Sequence, residues 1–441
     1  MAPPNVTHLT NRILHHPDVE YAWRPWPTYE LSAWIRDELL VSEDATPNER
    51  ALLDKLGWKK TSSVLSKKGK VALPARVPGV KDIEIWTPKD PGNFAMVERV
   101  MAELLSMGKE PLVSPNHLLV PCNYGCYCPA YAPFVLAPQP NRAAKMENFV
   151  RTESPVHVVV IDTGYIKKAP LEVRRDLGGF DNYRGEVWNG NAWVLSQEDD
   201  SYTLAGGVLE LLDGHGTFTA GEIAERCPRA KVTVVGIREV ESAATEASVA
   251  REIFRWAAEA DVIVPVFAFH ELGGLSNWTF TNILPQLKET SVVVCPAGNE
   301  SSRAKHYPAA LQWPDYPVVG VGSFKSMSPS SVTLSDFTNY GDWVFGYTGG
   351  ERVPGLYFKL NTKVEDGPDK KLPYQGWASW SGTSFAAPKV AAYLANRAAA
   401  GSTARNAAAY MKANAPQFPM TPPNIAGVGA SVGLDLRQYA R

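Results

Sequence analysis

Four short stretches of the 441-residue chain carry side chains that could do chemistry. Asp162 closes an apolar run in VVVIDTGY, His215 stands between glycines in DGHGT, Asn299 ends PAGN, and Ser384 sits in SGTSFAAP. An Asp-Thr-Gly loop serves two different chemistries. In an aspartic dyad two such carboxylates share one proton, because like charges about 3 Å apart cannot both ionise. In a Ser-His-Asp triad a single carboxylate orients the imidazole that takes the serine proton. The dyad needs a second Asp-Thr-Gly or Asp-Ser-Gly, which the chain lacks, and 441 residues is too long for a half-size homodimeric form.

Placing these residues together is a task for buried strands. Apolar runs rich in β-branched residues recur at 156–161, 231–237, 261–269, 291–295 and 317–321, too evenly apolar to own a solvated face. Such runs predict parallel strands covered on both sides. Between them, Val249, Ile253, Trp256, Ala257 and Ala260 recur at helical spacing, which predicts a helix over 247–260. The pattern is α/β. In such sheets ligands bind beyond the carboxyl ends of strands, where Asp162 and Asn299 fall, while His215 and Ser384 open helical stretches at 217–225 and 390–400.

Composition narrows the function classes. Hydrophobic residues make up 45% and charged residues 20%, as in a folded globular protein. With 44 basic against 46 acidic residues there is no field to attract a polyanion, so nucleic acid is not an expected partner. No run approaches the roughly 18 apolar residues that cross a bilayer, and the first residues carry charges where a secretory signal needs an apolar core. Five cysteines point to free thiols in a reducing compartment, and the cytoplasm is the expected location. Cys122, Cys126 and Cys128, with His117 as a conceivable fourth ligand, match no paired Cys-x-x-Cys spacing, so no metal and no cofactor is expected. Cys227 and Cys295 read as small apolar residues, and His270 and His306 as structural.

The order Asp, His, Ser is one of three in which the triad occurs, the one found in subtilisin. Here it coincides with four local motifs, and with Tyr307-Pro-Ala309, Ser335-Asp-Phe-Thr-Asn-Tyr-Gly341 and Gly427-Val-Gly429, so residues 150 to 430 resemble the subtilisin-like serine peptidases. The resemblance implies a three-layer sandwich around a mostly parallel sheet and a serine endopeptidase acting through an acyl-enzyme on protein or peptide substrates. It makes Ser384 the nucleophile, His215 the base and Asp162 its orienting acid. The Asn299 amide and the Ser384 backbone N–H would form the oxyanion hole. A fold-retaining scaffold without activity is the alternative, against which the intact set of four residues argues.

Departures from the family pattern carry expectations of their own. Phe218 stands where a second histidine is usual and Phe385 where methionine is usual. VPVFAFH at 264–270 replaces the usual Asn-x-Ser-x-Gly strand, so Phe267, Ala268 and Phe269 are expected to wall a narrow substrate pocket. The segment from His215 to Ala230 offers Glu222 and Glu225 alone as carboxylates, read as exposed helix charges, so no calcium site is expected there. Ahead of the peptidase domain (151–441), residues 82–86, 94–107 and 112–120 predict a strand-helix-strand unit resembling part of a subtilase prodomain. It would assist folding or block the cleft. The divisions expected are an extension at 1–78, this unit at 79–122 and a linker at 123–150. The aromatic stretch Tyr21–Trp34 could dock a partner, although packing onto the core is the preferred reading.

Overall fold

The computed structural model describes residues 8–24, 30–65, 73–120, 133–137, 156–164, 184–188, 193–195, 208–270, 278–327, 331–365, 367–414, 417–418, 420–421 and 431–432. Cys122, Cys126 and Cys128, the linker expected at 123–150 apart from 133–137, and Gly427–Gly429 lie outside the described residues.

The larger sheet has ten strands. At its centre Val156–Asp162 pairs in parallel with Ala230–Gly236 on one side and with Val262–Pro265 on the other. Val292–Pro296 and Val318–Met327 continue the parallel run. The apolar runs thus became strands for the reason they were apolar. Every residue of Val156–Asp162 and of Val292–Pro296 is buried. The strand expected over 261–269 stops at Pro265, whose ring nitrogen has no proton for the ladder. Helix Thr383–Ala399 packs on this sheet and against helix His215–Arg226. Among the described residues no helix is long and apolar enough to cross a membrane.

A second sheet of six strands is built almost wholly from the N-terminal region. Its long strand Glu30–Ser42 is flanked by Val113–Leu119 on one side and Ile83–Pro88 on the other, with Trp58–Ser63 beyond, all antiparallel. Helices Pro47–Lys55 and Val97–Ser106 connect them, giving the β-α-β-β-α-β order of a ferredoxin-like unit. The first helix begins where the chain dictates. Thr46 caps it by accepting from Glu49 N while the Glu49 carboxylate returns to Thr46 N, and Pro47 takes the first turn. The sheet therefore draws on both sides of the boundary expected between 78 and 79, and 30–42 is its centre rather than part of an extension. Trp34, in the aromatic stretch expected to pack, is fully buried in its core.

The two sheets are joined through a polar interface. Ala244 and Thr245 pair with Leu119 and Leu118, adding a strand from the peptidase part to the N-terminal sheet. Asn116 accepts from Ala247 N, and Gln286 and Asn282 hold the backbone at 75–81. His117, set aside above as a conceivable metal ligand, places Nδ1 2.6 Å from Glu246 Oε2 and stacks on Phe269 at 4.4 Å. Both side chains are nearly inaccessible, at 3% and 1% exposure, so neither can turn to water for a replacement partner. His117→Ala is expected to destabilise the protein by about 3 kcal/mol, the usual cost of orphaning one member of a buried pair. Urea denaturation checks it, read as a lower midpoint at unchanged slope.

Candidate active site

Asp162 is the last residue of the central strand and His215 the first of helix His215–Arg226. The fold brings them together across 53 positions, with His215 Nδ1 2.8 Å from Asp162 Oδ1 and 2.9 Å from Oδ2. Neither side chain has any solvent exposure. A carboxylate has no proton to give, so Nδ1–H is the donor and the imidazole lone pair lies on Nε2. Asp162 Oδ1 also accepts from Thr163 N at 2.6 Å.

Around this pair the Asp-Thr-Gly loop and the Asp-Gly-His-Gly turn are clamped face to face. Thr163 Oγ1 accepts from Gly216 N at 3.3 Å, and Arg238 binds both Thr163 O, at 3.3 Å, and Asp213 Oδ1, at 2.8 Å. Burial pushes the Asp213 carboxyl up to about 6 against the opposing pull of Arg238. Gly216 is needed for the close approach: a Cβ there would lie 2.0 Å from Gly164 O, which no side chain survives. Thr163 and Arg238 were not picked out from sequence. Thr163 is a motif residue whose hydroxyl function the motif alone does not reveal, and Arg238 is a lone arginine after a strand.

Asn299 and Ser384 meet in the neighbouring turn. Asn299 Oδ1 accepts from Thr383 N at 2.8 Å and from Thr383 Oγ1 at 2.9 Å. The amide oxygen is therefore committed, and the two protons on Nδ2 are the part left to present. Nδ2 lies beside the Cα of Gly382, 3.7 Å from where a Cβ would stand. Ser384 is the second residue of helix Thr383–Ala399, whose first turn has backbone N–H groups without intrahelical partners. It sits in the chain between Thr383, which binds Asn299, and Phe385, whose ring centroid is 5.1 Å from that of His215. His215 Nε2 has no hydrogen-bond partner among the described residues. Catalytic hydrogen bonds often tighten only when substrate binds.

Aromatic side chains wall the imidazole. Trp380 meets it edge-on at 5.5 Å, and Phe218 and Phe385 pack against each other at 4.6 Å. The two phenylalanines that depart from the family pattern are thus one packed unit. Trp380, which sequence reasoning passed over, completes it.

The residues expected to wall a substrate pocket are placed differently from one another. Phe267 and Phe269 are 0% and 1% exposed, and Phe269 is held between His117 and Phe280, so both are core in this arrangement. Ala268 contributes backbone. Its carbonyl accepts from Val120 N at 3.3 Å, an isolated antiparallel bridge from the end of the N-terminal sheet to the segment after Pro265. Glu222 departs from the exposed charge expected: it is fully buried and paired with Arg226 at 3.0 Å. Cys227 and Cys295 are free and buried, as small apolar residues are, and burial raises both thiols, Cys227 up to about 11.

Comparison with known proteins places this geometry. Fervidolysin from Fervidobacterium pennivorans, a keratinolytic enzyme related to subtilisin, matches with 18% identity and a TM-score of 0.55 over 87% of this chain, which spans 58% of that one. A cold-adapted subtilisin-like serine proteinase matches with 19% identity and a TM-score of 0.42, over 62% of this chain and 90% of that one. A protease from Pseudoalteromonas arctica matches with 20% identity and a TM-score of 0.42, over 64% and 88%. No curated protein matches. The subtilase family profile matches residues 153–429, well over half of the chain, and includes all four residues of the site. The chain belongs to the subtilase family, the subtilisin-like serine endopeptidases.

Proposed function

We propose that the chain cleaves peptide bonds in protein or peptide substrates with Ser384 as nucleophile, His215 as general base and then acid, and Asp162 as the group that orients the imidazole. What carries the reading is the commitment of two side chains. His215 gives Nδ1–H to Asp162, and Asn299 gives its amide oxygen to Thr383, so the basic Nε2 and the donor Nδ2 remain for the reaction. Nε2 takes the Ser384 proton as Oγ attacks the carbonyl, then returns it to the leaving amine. Negative charge develops on the carbonyl oxygen, where Asn299 Nδ2 and the Ser384 N–H would meet it. Burial of Asp162 supports its role, since the imidazolium that forms is best stabilised by a carboxylate not shared with water.

The N-terminal sheet, on this proposal, regulates the peptidase in the manner of a subtilase prodomain. The ferredoxin-like order of its elements supports this, as does a likeness to fervidolysin too extensive to stop at the family segment. The Val120–Ala268 bridge supports occupation of the cleft, because it uses a strand edge that an extended substrate would need.

Three measurements test these assignments. Asn299→Ala is expected to lower kcat by about 10²–10³-fold, and Ser384→Ala to abolish labelling by a serine-directed fluorophosphonate while leaving the protein folded. Retained labelling or near-normal turnover in Ser384→Ala would instead favour a different nucleophile, and absence of labelling in the wild type would favour the scaffold reading. Intact-mass spectrometry addresses the N-terminal region: wild type is expected to be cut between Cys122 and Arg151 while Ser384→Ala stays whole. Wild type that is fully active at full length would make the N-terminal sheet a permanent accessory domain.

A further inference from the structure

Next to Asn299, the fold assembles a second cluster that hydrolysis does not use. Phe269 and Tyr307 form an antiparallel bridge, which sets the following His270 and the preceding His306 side by side with ring centroids 4.6 Å apart. Glu300, the residue after Asn299, completes the group, with His270 Nε2 3.9 Å from Glu300 Oε2. One ligand atom from each of the three residues lies within 4.8 Å of the others. All three side chains are buried, with residue exposures of 2%, 5% and 1% for His270, Glu300 and His306.

The hydrogen bonds aim these residues at one point. His270 Nδ1 donates to Lys305 O at 3.0 Å, and His306 Nδ1 donates to Ala297 O at 3.2 Å. With Nδ1 protonated in both rings, each Nε2 carries a lone pair. Neither Nε2, nor Glu300 Oε1, has a hydrogen-bond partner among the described residues. Glu300 Oε2 is held by Asn339 Nδ2, and Asn339 Oδ1 in turn accepts from Glu300 N at 3.0 Å. Backbone carbonyls behind the imidazoles and an amide behind the carboxylate are the outer partners that orient ligands in metal sites. The surroundings leave no slack: a Cβ at Gly298, whose φ is +100°, would lie 2.4 Å from His306 Nδ1 and 2.7 Å from Glu300 Oε2.

We infer that His270, His306 and Glu300 bind a divalent first-row transition-metal ion, Zn²⁺ by preference, through the two Nε2 atoms and the Glu300 carboxylate. Two imidazoles and one carboxylate with a further position open is a ligand set that zinc takes. Calcium is disfavoured, since it wants six to eight oxygens. Bonds of about 2.0–2.1 Å require ligand atoms roughly 3.3 Å apart, so the cluster needs only a modest contraction to close on the ion. The ion would fix the turn that carries Asn299, making it a positioning element for the amide and not a participant in bond cleavage. The inference is independent of the proteolytic reading, because it concerns binding alone.

Full-length Ser384→Ala protein, stripped with dipicolinate and dialysed against buffered Zn²⁺, is expected to retain one ion per chain. Glu300→Gln and His306→Gln should each raise the zinc Kd by at least about tenfold. X-ray absorption at the zinc edge on protein with all three ligands intact needs no further substitution, and should read nitrogen and oxygen neighbours only. Failure to bind zinc, an affinity in either substituted protein equal to that of the Ser384→Ala parent, or sulfur in the first shell, which would put the ion on the thiols at 122–128, would each overturn the assignment.

Discussion

The structure depends on keeping a carboxylate and an imidazole in contact where no water reaches either. A buried carboxylate is tolerated only when its lone pairs are met, and Asp162 meets them with His215 Nδ1–H and Thr163 N–H. These partners come from different elements, so each element has to arrive with little freedom. The buried strand supplies one side, ending at Asp162 because its neighbours in the sheet fix its register. The helix starting at His215 supplies the other, pressed so close to the Asp-Thr-Gly loop that only glycine fits at 216. Arg238 and Thr163 then tie loop to turn. Asn299 and the Ser384 helix are anchored to each other by Thr383, so the site consists of two halves, one holding the Asp162–His215 pair and one holding Asn299 and Ser384.

Much of the peptidase half was legible because its signals are local. The runs at 156–161 and 291–295 became strands shifted by no more than one residue, since uniform apolarity and β-branching leave a buried strand little alternative. The four site residues lie in motifs whose glycines and order carry their own context. The N-terminal sheet was only half legible. Its last strand, helix and strand show periodicity, but Glu30–Ser42 mixes Arg, Asp and Glu with its apolar residues and hides its alternation. A usable signal did exist in Thr46-Pro-Asn-Glu49, a helix start that implies something for the helix to connect.

The grouping of His270, Glu300 and His306 was beyond a linear reading. Two of the three are placed by a single bridge between Phe269 and Tyr307, formed by segments with no mutual sequence signal, and Glu300 is carried in by the turn after Asn299. Phe267 and Phe269 illustrate a related difficulty. Sequence marks them as bulk beside a substrate pocket, whereas the structure buries both, with Phe269 held between His117 and Phe280.

The interface between the two sheets has a kinetic meaning. It combines a two-residue strand addition, the buried His117–Glu246 contact and side-chain grips on the backbone at 75–81, none of which involves the connecting segment. Severing that segment would therefore leave the pieces associated, a nicked protein with its cleft strand still paired. On the proposal that this sheet occupies the cleft, the delay before activity would be set by its residence time and not by the rate of the cut, so that the fold would act as a timer whose length is written in the hydrogen bonds of this interface.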